Sequence, residues 1–379
     1  MPTAGGVLGA SRPGAFGPTR ASPPRRLPAP RQLPSGLDTA ASTAPTPTSA
    51  HHVPAPVPTA TVVTAAVPPP QAVAVGPPAA QGAPAAVPAV PAVAPAMALD
   101  GEDNQPQPHA EDFNAPFRQD EQDPQKAAEY APAIMSQLFL AENQMNVRPG
   151  YMRGQPDISE QMRSVLLDWL VEVHFSYFNF RPETLFLTQA LIDAYLHLTV
   201  VMRERLQLVG VTCMLIAAKF EEIEVPKVAR FAYLTDDTYT PNEIIRMECR
   251  ILQALNFQIM TPTPAHFMRR FWRANGSTQV QRALSQYLLE LAMQEISSLR
   301  YRPSQLAAAS IFLSNELSGV RQLWPAMMVH HSRYTEFGLR ACVETLRGFL
   351  QQAAHSPQQA VRRKYQSSIF GNVADHFAL

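Results

Sequence analysis

Between Arg203 and Phe220 the chain places Leu206, Leu208, Val209, Val211, Met214, Leu215, Ile216, Ala217 and Ala218 with almost no polar interruption. A helix that is apolar nearly all round has no face to give to water, so other elements must surround it. The stretch is too short and too interrupted to span a bilayer. Its surroundings are helical as well: from residue 126 onward there are only eight glycines in 254 residues, and Leu, Met, Ala, Glu, Gln and Arg fill the intervals between prolines. That mixture favours helix and gives no alternation of short strands with helices. The predicted fold class is all-α, with 203–220 in the middle of a bundle.

Punctuation brackets the neighbours. Asp157 or Ser159 can cap a helix from Glu160 to about Tyr177, whose apolar positions follow the 3.6-residue period. Pro182-Glu183 opens the next, to about Leu198, and Pro226 and Pro241 open two more, to about Tyr233 and Leu255. After Asn256-Phe257, Pro262 and Pro264 reset the chain. A second series follows at about 264–273, 280–296, 303–318, a short piece near Trp324, and 335–354. Its middle helix, opened by Pro303 and carrying Ala307, Ala308, Ala309, Ile311 and Phe312, takes the place of the earlier apolar one. The pattern predicts two similar bundles in tandem, divided near residue 258.

The first 125 residues are of another kind. Of 37 prolines, 22 fall in residues 1–100 among Ala and Val, a composition read as disordered or polyproline-like. Net charge is +4 over 1–99, −7 over 100–125 and +3 over 126–379, so 100–125 reads as an acidic linker and no block suits a nucleic-acid groove. Cys213, Cys249 and Cys342 lie far apart with no C-x-x-C pair, which fits neither disulfides nor zinc and predicts a reducing intracellular compartment. No charged segment followed by an apolar one opens the chain, so a soluble protein without membrane contact is expected.

Catalytic patterns are missing. There is no Gly-rich phosphate loop and no G-x-S-x-G elbow. His330-His331 point to different faces with no third ligand at useful spacing, while Glu221-Glu222 and Asp236-Asp237 read as a helix end and a solvated turn. No catalytic residue, metal or cofactor is therefore assigned, and the functional signal has to be a surface.

In chain order come Pro149-Gly150-Tyr151-Met152, Gln155-Pro156-Asp157-Ile158, and Met162-Arg163-Ser164-Val165-Leu166-Leu167-Asp168-Trp169-Leu170-Val171-Glu172-Val173. Lys219-Phe220-Glu221-Glu222-Ile223, Leu234-Thr235-Asp236-Asp237-Thr238-Tyr239-Thr240 and Gln358-Gln359-Ala360-Val361-Arg362-Arg363-Lys364-Tyr365 follow. With these motifs in this order, residues from about 126 to 375 closely resemble the mitotic cyclins of A and B type. Phe220-Glu221-Glu222-Ile223 looks A-like, whereas Leu255-Asn256-Phe257 and Pro264-Ala265-His266-Phe267 look closer to B. The resemblance implies tandem five-helix cyclin boxes after an N-terminal helix. It implies a non-catalytic subunit, nuclear and cytoplasmic, that binds and activates a cyclin-dependent kinase as a heterodimer and controls G2/M progression.

It also implies roles for particular residues. Lys219 and Glu248 correspond to the pair that caps backbone groups beside the kinase αC helix. Phe220, Ile216, Leu252, Phe257 and Ile259 correspond to the apolar kinase-facing residues, and Tyr130 and Ile134 to the N-terminal helix that packs on the partner. Taken alone, Lys219 reads as a solvated cation at a helix C-terminus, and each apolar residue reads as core before interface. Met162, Val165, Leu166 and Trp169 stand at i, i+3, i+4 and i+7, ordinarily a core stripe. The family uses that stripe as a shallow exposed groove for substrate or inhibitor proteins bearing an Arg-x-Leu motif. Glu172 then receives the basic residue, and Leu206 and Gln207 line the far side. Arg163 is expected in an internal salt bridge with Asp193.

Some features depart from the family. Residues 174–182 hold one residue more than the A-type pattern, expected to lengthen a loop. The tail lacks the Arg-x-x-Leu destruction signal and a Lys-Glu-Asn triplet, and no lysine precedes Lys126, so degradation by the usual route is not expected. Residues 126–379 should bind and activate the kinase alone, because the tail lacks apolar surface. The competing reading is a cyclin-fold adaptor without a kinase partner, resembling general transcription factor IIB or the retinoblastoma pocket. Such proteins should lack Lys219 and Glu248 in this context, and the charge of +3 over 126–379 is low for DNA-facing helices.

Overall fold

The protein is described by a computed structural model that covers residues 112–378 apart from 145, 146 and 148; the proline-rich stretch lies outside them. Among the described residues there are helices and no strands. A first bundle holds α2 (Glu160–Glu172), α3 (Pro182–Leu198), α4 (Arg203–Glu221), α5 (Val228–Leu234) and α6 (Pro241–Ala254), preceded in the chain by α1 (Ala131–Glu142). A second holds α7 (Pro264–Ala274), α8 (Gln279–Gln294), α9 (Pro303–Leu317), α10 (Ala326–Ser332) and α11 (Glu336–Gln352), and is followed by α12 (Ala360–Tyr365) and α13 (Val373–His376).

Proline sets several starts. Pro182, Pro241, Pro264 and Pro303 each occupy the first helical position, where the missing N–H is no loss and φ is already right. Ser159, not Asp157, caps α2, its hydroxyl accepting from the Met162 N–H at 3.2 Å. Asp157 instead accepts from the backbone N–H and guanidinium of Arg203 at 2.8 and 2.7 Å, closing the start of α4. Gln155 holds the other end of that connection, donating to the carbonyls of Leu196 and Thr199 and accepting from Val201 N–H.

α4 is buried without a break from Leu208 to Ala218 and packs against α2, α3, α5 and α6. In the second bundle α9 does the same from Leu306 to Asn315, against α7, α8 and α11. The all-round apolar pattern thus marks the axis of each bundle.

Pro226 lies ahead of its helix, since α5 starts at Val228 with Lys227 as its N-cap, and three further segments differ from the sequence reading. The extra residue after α2 does not lengthen a loop: Val173–Phe178 continues as a π-helical turn, in which the wider winding absorbs one residue. α1 adjoins the first bundle in sequence, yet Leu138 and Phe139 are buried in the second core, with Phe139 and Phe267 ring centroids 5.1 Å apart. The Glu142 carboxylate then accepts from the backbone N–H and hydroxyl of Ser304 at 3.0 and 2.6 Å, capping α9. Finally, the supposed linker is structured from Asp112 on, as the 3₁₀ turns Ala115–Gln122, Pro124–Lys126 and Ala128–Tyr130. Its charge hid an aromatic pair, Phe113 and Phe117, spaced to reach one surface.

His174, in the π-helical turn, is buried, and its Nε2–H donates to the Arg181 carbonyl at 2.8 Å. Burial, then the nearby Lys364 charge, push its pKa down to about 4. A depressed folded value means that stability is whole above the unfolded value of about 6.5 and is lost as pH falls toward 4. The imidazole should therefore account for about 2–3 kcal/mol lost between pH 7 and 4.5. Urea unfolding of the wild type and His174→Gln at both pH values measures this; an equal acid loss in the two would show that His174 is not responsible.

Candidate protein-interaction site

Among the described residues no group of three or more His, Cys, Asp and Glu is placed to hold a metal ion. The candidate site is a surface. It centres on the last turn of α4 and on α6, which packs against it. Lys219, in the last turn of α4, donates to Glu248 of α6 at 2.6 Å. Glu248 is buried while the Lys219 side chain is 46% exposed, so a fixed carboxylate aims an ammonium whose remaining donors face outward.

Apolar side chains accompany this pair on α4 and α6 and just beyond them. Phe220 is 50% exposed and Phe257 67% exposed, whereas Ile216 is buried and Leu252 and Ile259 are half-buried. Phe257 owes its position to the way α6 ends. Its N–H donates to the Leu252 carbonyl at 2.8 Å, and Asn256 and Phe257 have φ of 49° and 58°. That closure satisfies a carbonyl of the last turn, but a bulky residue in the left-handed region costs on the order of 1–2 kcal/mol. An aromatic ring held outward at such a cost marks a place where exposure itself has a use.

Tyr130 and Ile134 are both exposed, at the start of α1. Glu142 and Asn143 at its other end share the walls of one cleft of about 460 Å³ with Leu255 and Asn256, which brings the ends of α1 and α6 together. Two further exposed apolar residues, which the sequence reading did not single out, follow the same two helices in the chain. Ile223 is 98% exposed, two residues past α4, and Met260 is 78% exposed, beyond α6. The available signal was an apolar residue directly after a helix end, flanked by charge in Glu222-Ile223-Glu224 or following Ile259.

The second candidate surface is less open than its resemblance implied. Leu166, Trp169 and Leu206 are buried in the first core, and Met162, Val165, Glu172 and Gln207 are half-buried. None of the seven is exposed. For Leu166 the reason is the close approach of α2 and α4 at Gly210, where a Cβ would stand 2.7 Å from the Leu166 Cδ1. Glu172 is also engaged, lying 3.4 Å from Arg363 of α12. Arg163 points inward: its Nε and Nη2 donate to the two Asp193 oxygens at 2.6 and 2.7 Å.

Comparison with known proteins fits this geometry. Residues 133–260 match the family model described as cyclin, N-terminal domain, and residues 262–378 match cyclin, C-terminal domain. The chain is 40% identical over 262 residues to a G2/mitotic-specific cyclin-B of Marthasterias glacialis, covering 69% of this chain and 67% of that one. It is 41% identical over 255 residues to Cyclin-B2-1 of Oryza sativa subsp. japonica (67% and 60%), and 39% identical over 263 residues to Cyclin-A2-4 of Arabidopsis thaliana (67% and 57%). The chain thus spans about two thirds or less of the length of these relatives. The X-ray structure of a viral cyclin from herpesvirus saimiri shares the fold, with a TM-score of 0.52 and 19% identity over 57% of this chain and 96% of that one. Two consecutive family domains that coincide with the two bundles, with relatives of both B and A type, make the chain a member of the cyclin family.

Proposed function

We propose that the chain is a non-catalytic subunit that binds and activates a cyclin-dependent Ser/Thr protein kinase in the nucleus and cytoplasm during G2/M progression. The observation that carries this is the Lys219–Glu248 pair, fixed at 2.6 Å with the ammonium half exposed, together with exposed Phe220, Ile223, Phe257 and Met260 on or just after the same two helices. Exposed apolar side chains together with one oriented cation suit a partner that presents an apolar helix face together with free backbone carbonyls. Kinase catalysis requires a lysine–glutamate pair and a metal-binding aspartate in place together. A rigid surface that fits only that arrangement shifts the kinase toward it. Recovery of the chain from native extract, followed by identification and assay of the co-purifying kinase, tests the reading directly. Recovery with transcription factors and without kinase activity would favour the adaptor instead.

Lys219→Ala leaves the Glu248 carboxylate unpaired inside the interface, and Glu248→Ala leaves the ammonium unaimed. Either loss should cost about 2–5 kcal/mol of binding, at least ~30-fold in affinity. Calorimetric titration against the recovered kinase measures it; unchanged affinity with normal circular dichroism would assign the pair to the protein's own surface.

Recruitment of Arg-x-Leu substrates through the α2 stripe is the second part of the proposal, and the burial of Leu166 and Trp169 dictates how to probe it. Substituting those two would open a cavity costing about 2–5 kcal/mol each, whatever the stripe does. Met162→Ala with Glu172→Gln removes half-buried groups only. The double variant is expected to melt within a few degrees of wild type and to support normal phosphorylation of a short peptide without a docking motif. Phosphorylation of an Arg-x-Leu substrate should fall several-fold, and an equal fall on both peptides would remove the docking assignment.

A further inference from the structure

The segment whose charge suggests a linker is clasped to the second bundle by several different interactions. Phe113 stacks on His330, with ring centroids 4.3 Å apart and planes within 6° of parallel. His331 donates from Nε2 to the Phe113 carbonyl at 2.8 Å and meets the Phe117 ring edge-on at 5.0 Å. Phe117 lies 4.1 Å beneath the Arg270 guanidinium and packs on the second core. Arg273 pairs with the Asp120 carboxylate and donates to the Pro116 carbonyl at 2.7 Å.

The electrostatics explain the place of Asp120. Arg270 and Arg273 are neighbours on α7; burial and then the Arg273 charge hold the Arg270 pKa below its ordinary value. Two adjacent cations call for an anion. Asp120 supplies it, and the hydrogen bond from Arg273 is the first cause of its lowered pKa. Beyond the clasp the chain turns sharply at Ala127, with φ of 47°, and the Ala128–Tyr130 turn packs back on Ala115–Gln122. Tyr130 then starts α1.

We propose that Phe113, Phe117 and Asp120 are positioning residues for the kinase-facing part of α1: by anchoring the chain to α7 and α10 they set the direction in which Tyr130 and Ile134 project. This inference rests on the kinase-binding reading above. The side chains of Phe113, Phe117 and Asp120 are engaged with His330, His331, Arg270 and Arg273, so their effect on binding passes through α1. Without the clasp, only a fraction of molecules presents α1 correctly, and apparent affinity falls by that fraction. It follows that removing residues up to 125 is not neutral.

The test uses the full-length chain in two forms: Phe113→Ala with Phe117→Ala, and the charge reversal Asp120→Arg, alone and with Arg273→Asp. Each is titrated against the kinase recovered with the wild type, and backbone hydrogen exchange of the free chain is recorded. Both clasp variants should bind about tenfold more weakly if one molecule in ten remains competent. Exchange should quicken over 128–142 while 279–294 stays as protected as in wild type. Arg273→Asp should restore the affinity of Asp120→Arg. The aromatic double substitution should add little in a Tyr130→Ala, Ile134→Ala background, since its effect runs through those side chains. Unchanged affinity in both clasp variants, or full additivity with Tyr130→Ala and Ile134→Ala, overturns the positioning role while leaving the kinase reading intact. A wild-type chain that binds no kinase sinks that reading, and the positioning role falls with it.

Discussion

One buried guanidinium holds the two bundles in register. Arg163, with no exposed surface, donates to both oxygens of Asp193 and to the carbonyls of Met293 and Gln294 at 3.4 and 3.1 Å, in the last turn of α8. Tyr151 donates to Asp193 Oδ1 at 2.7 Å. A buried ion is tolerated only when its geometry and hydrogen bonds are complete, and removing one partner costs about 3–5 kcal/mol. Here completeness requires α2 and α3 of one bundle and α8 of the other to meet at one point. Asp168, one turn further along α2, repeats the arrangement by accepting from Gln294 and from the Ala360 N–H at the start of α12. A surface composed from α1, α4 and α6 stays fixed only if α1, seated on the second core, does not move against the first. Arg163 supplies that condition.

The four lysines show how residue type alone leaves a role undecided. In a chain that uses Arg as its default cation, a retained Lys is informative, but of different things. Lys364 is buried, and donates to both oxygens of Glu290 at 2.7 and 2.8 Å while Tyr365 donates to the same carboxylate at 2.8 Å. It fastens α12 to α8 and is unavailable to any partner. Lys219 makes the same kind of pair, with Glu248, but remains nearly half exposed. Burial separates an ammonium closed inside the protein from one that a partner can reach, and burial is a tertiary fact.

Local signals carried the fold further than the site. Prolines at first turns, Ser and Thr caps and the apolar runs of α4 and α9 are short-range features, and the helices begin at Pro182, Pro241, Pro264 and Pro303 as those features dictate. α6 and α8 add reciprocal caps, Thr240 with Glu243 and Thr278 with Gln281. Long-range features escaped. Nothing near Leu138 or Phe139 shows that they join the second core, and the acids around Phe113 and Phe117 gave a linker's composition to a segment whose partners are more than 150 residues away. Gln155 stood within a motif that suggested only a family, and Asp157 looked like a cap for α2; their work is to close the connections around α3 and α4. The stripe on α2 satisfied the core pattern and the docking pattern equally, because spacing names a face and not what covers it.

On the docking reading, that ambiguity has an energetic consequence. With Leu166 and Trp169 buried, a bound peptide gains little apolar area beyond Met162 and Val165. At about 25 cal/mol per Å² a shallow stripe of this kind yields modest affinity, and discrimination must come from placed charge. The charge in question is Glu172, which already has Arg363 at 3.4 Å. That pair is exposed on the arginine side, and an exposed pair is worth about 0–1 kcal/mol, so an incoming arginine can displace Arg363 at small cost. α12 itself stays in place through Lys364, Tyr365 and the Ala360–Asp168 bond. The helix that carries Arg363 is thus held by buried interactions, while the Arg363 side chain itself is held to Glu172 by a weak one. A peptide exchanged often among many substrates needs that division: a rigid frame, and an anchor that is cheap to release.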